Sequence, residues 1–101
     1  MMDEKLIVQV PSDLADLIPF FLETRQQDVS GLIKGLQVND FESLRTIGHG
    51  MHGTGGSFGF HQISVIGAII EDAAAVGDAQ TVKDQLVALQ SYLSRAEITY
   101  V

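Results

Sequence analysis

The chain has no cysteine. That excludes disulfide scaffolds, thiol catalysis and thiolate metal sites together, and it fits a reducing compartment. Basic residues are scarce: six Lys and Arg stand against 13 Asp and Glu, a formal charge of −7. A chain this acidic is repelled by phosphate backbones and anionic lipid, so no nucleic acid and no membrane is expected as a partner. Another protein, with a basic rim, fits better. Long apolar runs are missing too. The longest uncharged stretch of the second half centres on Ser64 to Ile70, well short of the ~20 residues a membrane-spanning helix needs. The opening Met1-Met2-Asp3-Glu4-Lys5 carries acids where a secretory leader has basic residues, and the apolar run Leu6 to Val8 is too short for a leader core. A cytoplasmic protein is expected.

What is present is one domain's worth of core-forming chain. It has 101 residues, 46% of them apolar and 19% charged, so residues 1–101 are read as a single packed unit. The two prolines mark helix starts. Ser12, after Pro11, is the expected N-cap of a short helix, and Pro19 sits in the first turn of the next. Phe21, Leu22, Val29, Leu32, Ile33 and Leu36 then trace one face. Val38-Asn39-Asp40 reads as a turn, with Asp40 capping a helix whose apolar face is Phe41, Leu44, Ile47, Gly48 and Met51. A glycine-rich connector, Gly53 to Gly59, follows. Ile63, Ile66, Ile70 and Ala73 mark the next helix. Gly77-Asp78 reads as a C′ glycine and a new N-cap, and Val82, Leu86, Leu89 and Leu93 form the last stripe. The termini, Leu6 to Val10 and Ile98 to Val101, are β-prone and are expected to pair as a small two-stranded ribbon. The fold class is therefore all-α: an antiparallel up-down four-helix bundle with a short extra N-terminal helix, working as a monomer.

One stretch departs from bundle chemistry. Six of the ten glycines fall within Gly48-His49-Gly50-Met51-His52-Gly53-Thr54-Gly55-Gly56-Ser57-Phe58-Gly59. Each glycine inside a helix costs about 1 kcal/mol relative to Ala. Close packing explains Gly48, which lies on the apolar face, but not Gly50 or Gly53. At about 100° per residue, Phe41, Leu44, Gly48 and Met51 cluster within roughly 60°. His49 then points about 140° from the centre of that face, and His52 about 80°, on the flank. An exposed histidine is ordinarily just a solvated side chain. Here the residues around it have been stripped of side chains, which leaves room for something large to reach the ring.

The run Leu44-Arg45-x-x-Gly48-His49-x-Met51-His52-Gly53-x-Gly55-x-x-Phe58-Gly59 resembles the signature of histidine-containing phosphotransfer (HPt) domains. At pattern level the likeness extends over nearly the whole chain. It implies that His49 is the phosphoacceptor, exchanging a phosphoryl group with the aspartate of response-regulator receiver domains or a hybrid sensor kinase. It implies a phosphocarrier, not an enzyme, with no ATP site. No cofactor and no metal are expected on this chain; Mg²⁺ belongs to the receiver's acidic pocket. A neutral imidazole suits the role, because its ordinary pKa of about 6.5 leaves it nucleophilic near neutrality. Gly50 and Gly53, with Phe60 and Ile63 at the start of the following helix, are the expected docking residues. His52 departs from the family pattern, which has Lys there. A histidine supplies that positive charge only when protonated, so a more pH-sensitive phospho-form is expected. Glu71 matches a carboxylate of the chemotaxis-kinase phosphotransfer domains, which also share Phe58-Gly59-Phe60, and there it orients the acceptor ring. Gln62 is a weaker candidate for facing the site.

Four rival readings exist. Gly48 to Gly53 spells G-x-G-x-x-G, with Glu71 and Asp72 about 20 residues on, but the preceding residues have helical rather than strand periodicity and no βαβ alternation surrounds them. A P-loop fails because no Lys precedes Thr54. A His-ligated metal-binding bundle would need His49, His52 and His61 together, although His61 points away from the apolar face of its own helix. A receiver-docking module without phosphotransfer is the remaining alternative.

Overall fold

A computed structural model describes residues 4–101. Four helices carry the chain: α1 Ile18–Gln37, α2 Phe41–Gly55, α3 His61–Ala75 and α4 Ala79–Arg95. Two short strands, β1 Leu6–Val10 and β2 Ala96–Tyr100, bracket them. The strands pair in parallel, with Leu6 opposite Ala96 and Val10 opposite Tyr100. The β-prone termini therefore do meet.

The helix starts follow local chemistry. Pro19 lies in the first turn of α1, where a missing N–H has no consequence. Asp40 caps α2 by accepting from the Ser43 N–H at 3.1 Å, and Asp78 caps α4 by accepting from the Thr81 N–H at 3.1 Å. Asn39 at φ 54° and Gly77 at φ 70° take the left-handed turns that end α1 and α3. Two expectations need correction. Ser12 is not an N-cap: Pro11 precedes a six-residue 3-10 helix, Ser12–Leu17, and the Ser12 hydroxyl instead donates to the Val101 carbonyl at 2.9 Å, tying the chain ends together. The glycine-rich connector begins later than Gly53. α2 continues through Gly55 because that residue is buried against α3, where a Cβ would stand 2.6 Å from the Ser64 nitrogen. The link that remains is the 3-10 turn Gly56–Phe58, then Gly59 and Phe60. Gly59 is required there: its φ is +89°, and a side chain would strike the Gln9 carbonyl of β1 at 2.7 Å.

The core is assembled from the expected stripes. Leu32, Leu44, Met51, Ile63, Ile70, Val82 and Leu89 are completely buried. Leu86 and Leu93 are only partly covered, while Tyr92, outside the stripe, is buried. Ile33 is exposed, since the inward face of α1 runs through Phe21, Val29 and Leu32. Aromatic packing closes one end. Phe21 stacks on Phe60 with centroids 4.8 Å apart and tilts against Phe58 at 4.7 Å. The closest pair of helices is α2 and α3, and small residues cause this. A Cβ on Gly48 would meet the Gly67 carbonyl at 2.8 Å, and one on Gly67 would meet the His52 nitrogen at 2.5 Å. Backbone runs against backbone along this seam, and it sets the geometry of the surface above it.

Candidate functional site

His49 leaves α2 on the outer side of the seam, with 75% of its side chain exposed. The ring is nevertheless held. Its Nδ1 lies 2.8 Å from Glu71 Oε2, on the neighbouring helix. The other carboxylate oxygen, Oε1, lies 3.4 Å from Nδ1 of His52. One carboxylate thus serves both imidazoles, and neither Nε2 atom has a hydrogen-bond partner among the described residues. Glu71 is largely covered, 22% exposed, and bonding to His49 and then His52 holds its carboxyl below the ordinary carboxylate range despite partial desolvation. An ionised Glu71 accepts a proton-bearing Nδ1. That fixes the His49 tautomer with a lone pair on Nε2, pointing away from α3.

The surroundings of the ring are bare. A Cβ at Gly50, Gly53 or Gly56 would meet nothing within 4 Å. These three glycines leave open surface, in contrast to Gly48 and Gly55, whose missing side chains admit α3. The backbone beneath is braced. The Ser64 hydroxyl donates to the His52 carbonyl at 2.8 Å, and the Thr54 hydroxyl donates to the Gly50 carbonyl at 2.9 Å. Thr54 also accepts from Arg25 Nη1 at 2.9 Å, so α1 is tied to the turn beside the site. Arg25 is buried, lies 4.7 Å over the Phe21 ring and pairs with Asp28 at 2.8 Å. Burial nevertheless raises the Asp28 carboxyl, outweighing the neighbouring guanidinium.

Five of the seven expected positions gather here: His49, His52 and Glu71 in contact, with Gly50 and Gly53 alongside. Gly53 is one residue past His52 and equally open. Phe60 and Ile63 do not belong to any docking surface. Both are completely buried, Phe60 against Phe21 and Ile63 within the core cluster, because the apolar stripe of α3 is consumed by the core. Exposed apolar side chains near this end of α2 lie instead on α1 and the residue before it, where Leu17 is 50% and Phe20 72% exposed. They line a hollow with Thr24, Arg25, Thr54 and Phe58 that adjoins α2 just past Gly53. Gln62 and His61 face another side, beside β1 and Tyr92. Among the described residues no group of three or more His, Cys, Asp or Glu side chains is placed to hold a metal, and no helix is long and apolar enough to cross a membrane. Sequence reasoning missed Arg25, Thr54, Ser64 and Gly67. Only Gly67 left a signal, as the partner that the seven-residue spacing of Gly48 and Gly55 requires on the facing helix.

The family model described as the Hpt domain matches residues 16–98. No curated protein and no solved structure matches the chain at a significant level.

Proposed function

The chain belongs to the Hpt domain family, and on that premise we propose that it is a phosphorelay carrier, taking a phosphoryl group onto His49 Nε2 and passing it on. The observation that carries this reading is the pairing of an exposed ring with a buried-side anchor: Nδ1 bound to Glu71 at 2.8 Å while the remainder of the side chain is open to solvent.

The chemistry balances simply. The lone pair of Nε2 attacks the phosphorus of an aspartyl phosphate on a receiver domain. The P–O bond to the aspartyl carboxylate breaks, and its electron pair stays with that carboxylate. The proton on Nδ1 does not leave, so the phosphorylated ring is formally cationic, and the Glu71 carboxylate stabilises it. Both sides of the exchange are high in transfer potential, so the step runs in either direction. The chain contributes orientation and charge, and needs no resident cofactor; the receiver supplies Mg²⁺ from its own acidic site. The carrier has no ATP site and acts as a substrate of its partners, receiver domains or a hybrid sensor kinase, in the cytoplasm and as a monomer. Links of three to five residues between consecutive helices favour the up-down antiparallel arrangement.

Docking is assigned to the clearing at Gly50 and Gly53 together with Leu17 and Phe20. This gives a small apolar patch beside a polar reactive centre, the composition of a transient interface. The test is incubation with a phosphorylated receiver domain, followed by phosphate-affinity gels of wild type and His49→Gln. An acid-labile, alkali-stable label on wild type and none on the variant is expected. Equal labelling of both proteins would refute the assignment.

A further inference from the structure

A phosphoryl group on His49 brings about two negative charges to the surface of an already acidic chain, and Glu71 sits directly behind the ring. Something has to offset that charge. Arg25 is buried and engaged by Asp28, and Lys5 pairs with Glu97. His52 is positive only when protonated. Of the six Lys and Arg, a single one lines the hollow beside the acceptor ring: Arg45, with Glu42, Thr46, His49 and Glu71 around it. We propose that Arg45 is the phosphoryl-binding cation of this site, closing over the group carried on His49 Nε2. The inference rests on the phosphocarrier reading and adds to it the residue that retains the phosphoryl group.

Helix geometry supports the assignment. Arg45 and His49 are one turn apart on α2, so their Cβ atoms are neighbours on one face. Side chains on a helix lean toward its N-terminus, so the His49 ring extends over the turn that carries Arg45 and Thr46. The hollow reflects this, since it holds Arg45 and Thr46 with His49 and excludes His52. The Glu71 bond fixes Nδ1 toward α3, which leaves Nε2 on the open side. Arg45 is available. It is exposed, and among the described residues it forms no ion pair, although the acids Glu42 and Glu71 share its hollow. Thr46 is no competitor, because its hydroxyl is spent on the Glu42 carbonyl at 3.0 Å. A guanidinium is charged at every working pH and presents a planar fork to phosphoryl oxygens.

The experiment compares wild type, Arg45→Gln, Arg45→Lys and His52→Gln at pH 8, where a histidine carries little charge. Each protein is equilibrated with a phosphorylated receiver domain, and separately phosphorylated with phosphoramidate for ³¹P NMR titration of the bound group. Arg45→Gln is expected to lower the phosphorylated fraction ratio about tenfold, the scale of one lost charge-assisted hydrogen bond, and to raise the second ionisation of the phosphoryl group. Arg45→Lys should recover most of both, and His52→Gln should change them less than Arg45→Gln. Unchanged ratio and titration in Arg45→Gln, or a larger effect from His52→Gln, would overturn the role of Arg45 while labelling of His49 still stands. Failure of wild type to take phosphate from either donor would sink the carrier reading, and the Arg45 proposal with it.

Discussion

Where a Cβ on Gly48 would stand, the backbone nitrogen of Glu71 is 2.7 Å away. This contact explains how a glutamate on α3 reaches a histidine on α2. With no side chain at position 48, the two backbones close together, and the residue after Gly48 emerges beside the carboxylate that bonds it. The glycine that admits α3 also brings the Glu71 carboxylate to His49.

The glycines of this segment should accordingly divide into two classes on substitution. Gly48→Ala and Gly67→Ala force a Cβ against backbone atoms at 2.5–2.8 Å, which no rotamer relieves, and should destabilise by about 2 kcal/mol or more. Gly50→Ala and Gly53→Ala meet nothing, and should stabilise by roughly 0.5–1 kcal/mol through helix propensity alone. Urea unfolding of the four variants measures both signs. Gly53→Trp should leave stability near that of wild type but suppress transfer from a receiver, with labelling by phosphoramidate unaffected.

Glu71 should act on rate more than on fold. Replacing it with Ala removes the acceptor for Nδ1–H and frees the tautomer; Gln keeps an acceptor oxygen without the charge. Single-turnover transfer from a phosphorylated receiver should slow by roughly tenfold or more in Glu71→Ala, with Glu71→Gln intermediate. ¹⁵N NMR of the ring nitrogens should show the Nδ1-protonated form of His49 losing population. Identical tautomer ratios in all three proteins would remove the orienting role.

Much of this was legible in the sequence, for a physical reason in each case. Asp40, Asp78, Pro19 and Gly77 act through their own neighbours, so their caps and turns can be read locally. His49 and its clearing follow from helical phase within one segment. Phe60 and Ile63 misled because the same residues that look like an apolar docking patch on an isolated helix are the ones a bundle buries. Arg25 was illegible for the opposite reason. A charged residue on a helix is assigned to solvent unless all its partners are known; Asp28 and Phe21 lie within reach on α1 itself, but Thr54 joins them only when α1 meets α2.

If the chain carries phosphate as proposed, His52 in place of a lysine should leave a mark on its pH dependence. His52 shares Glu71 with His49 and carries positive charge only when protonated, whereas a lysine would carry it throughout. The half-life of the phosphorylated form in wild type should therefore vary more between pH 6 and 8 than in His52→Lys. Superimposable profiles would show that His52 contributes no charge to the phospho-form.

Acid stability tests the carboxylates as a set. Asp40 is held below its ordinary value of 3.8 by the Ser43 hydroxyl and N–H, and Asp78 likewise by Thr81; Glu71 is held below 4.5 by His49. A carboxylate depressed in the fold contributes stability that is complete above its unfolded value and is lost as pH falls through its folded one. Unfolding should therefore become easier below about pH 4.5, progressively as each group takes up its proton. Asp28 has the opposite sign. Burial raises it above 3.8, so its protonation favours the fold and partly offsets the loss. Asn at positions 40 and 78 still caps but cannot titrate, so Asp40→Asn with Asp78→Asn should flatten the fall of the urea midpoint between pH 7 and 3. Asp28→Asn should steepen it, because the variant lacks the group whose protonation offsets the loss. Parallel acid profiles for wild type and both variants would show that these carboxylates do not set the acid limit of the fold.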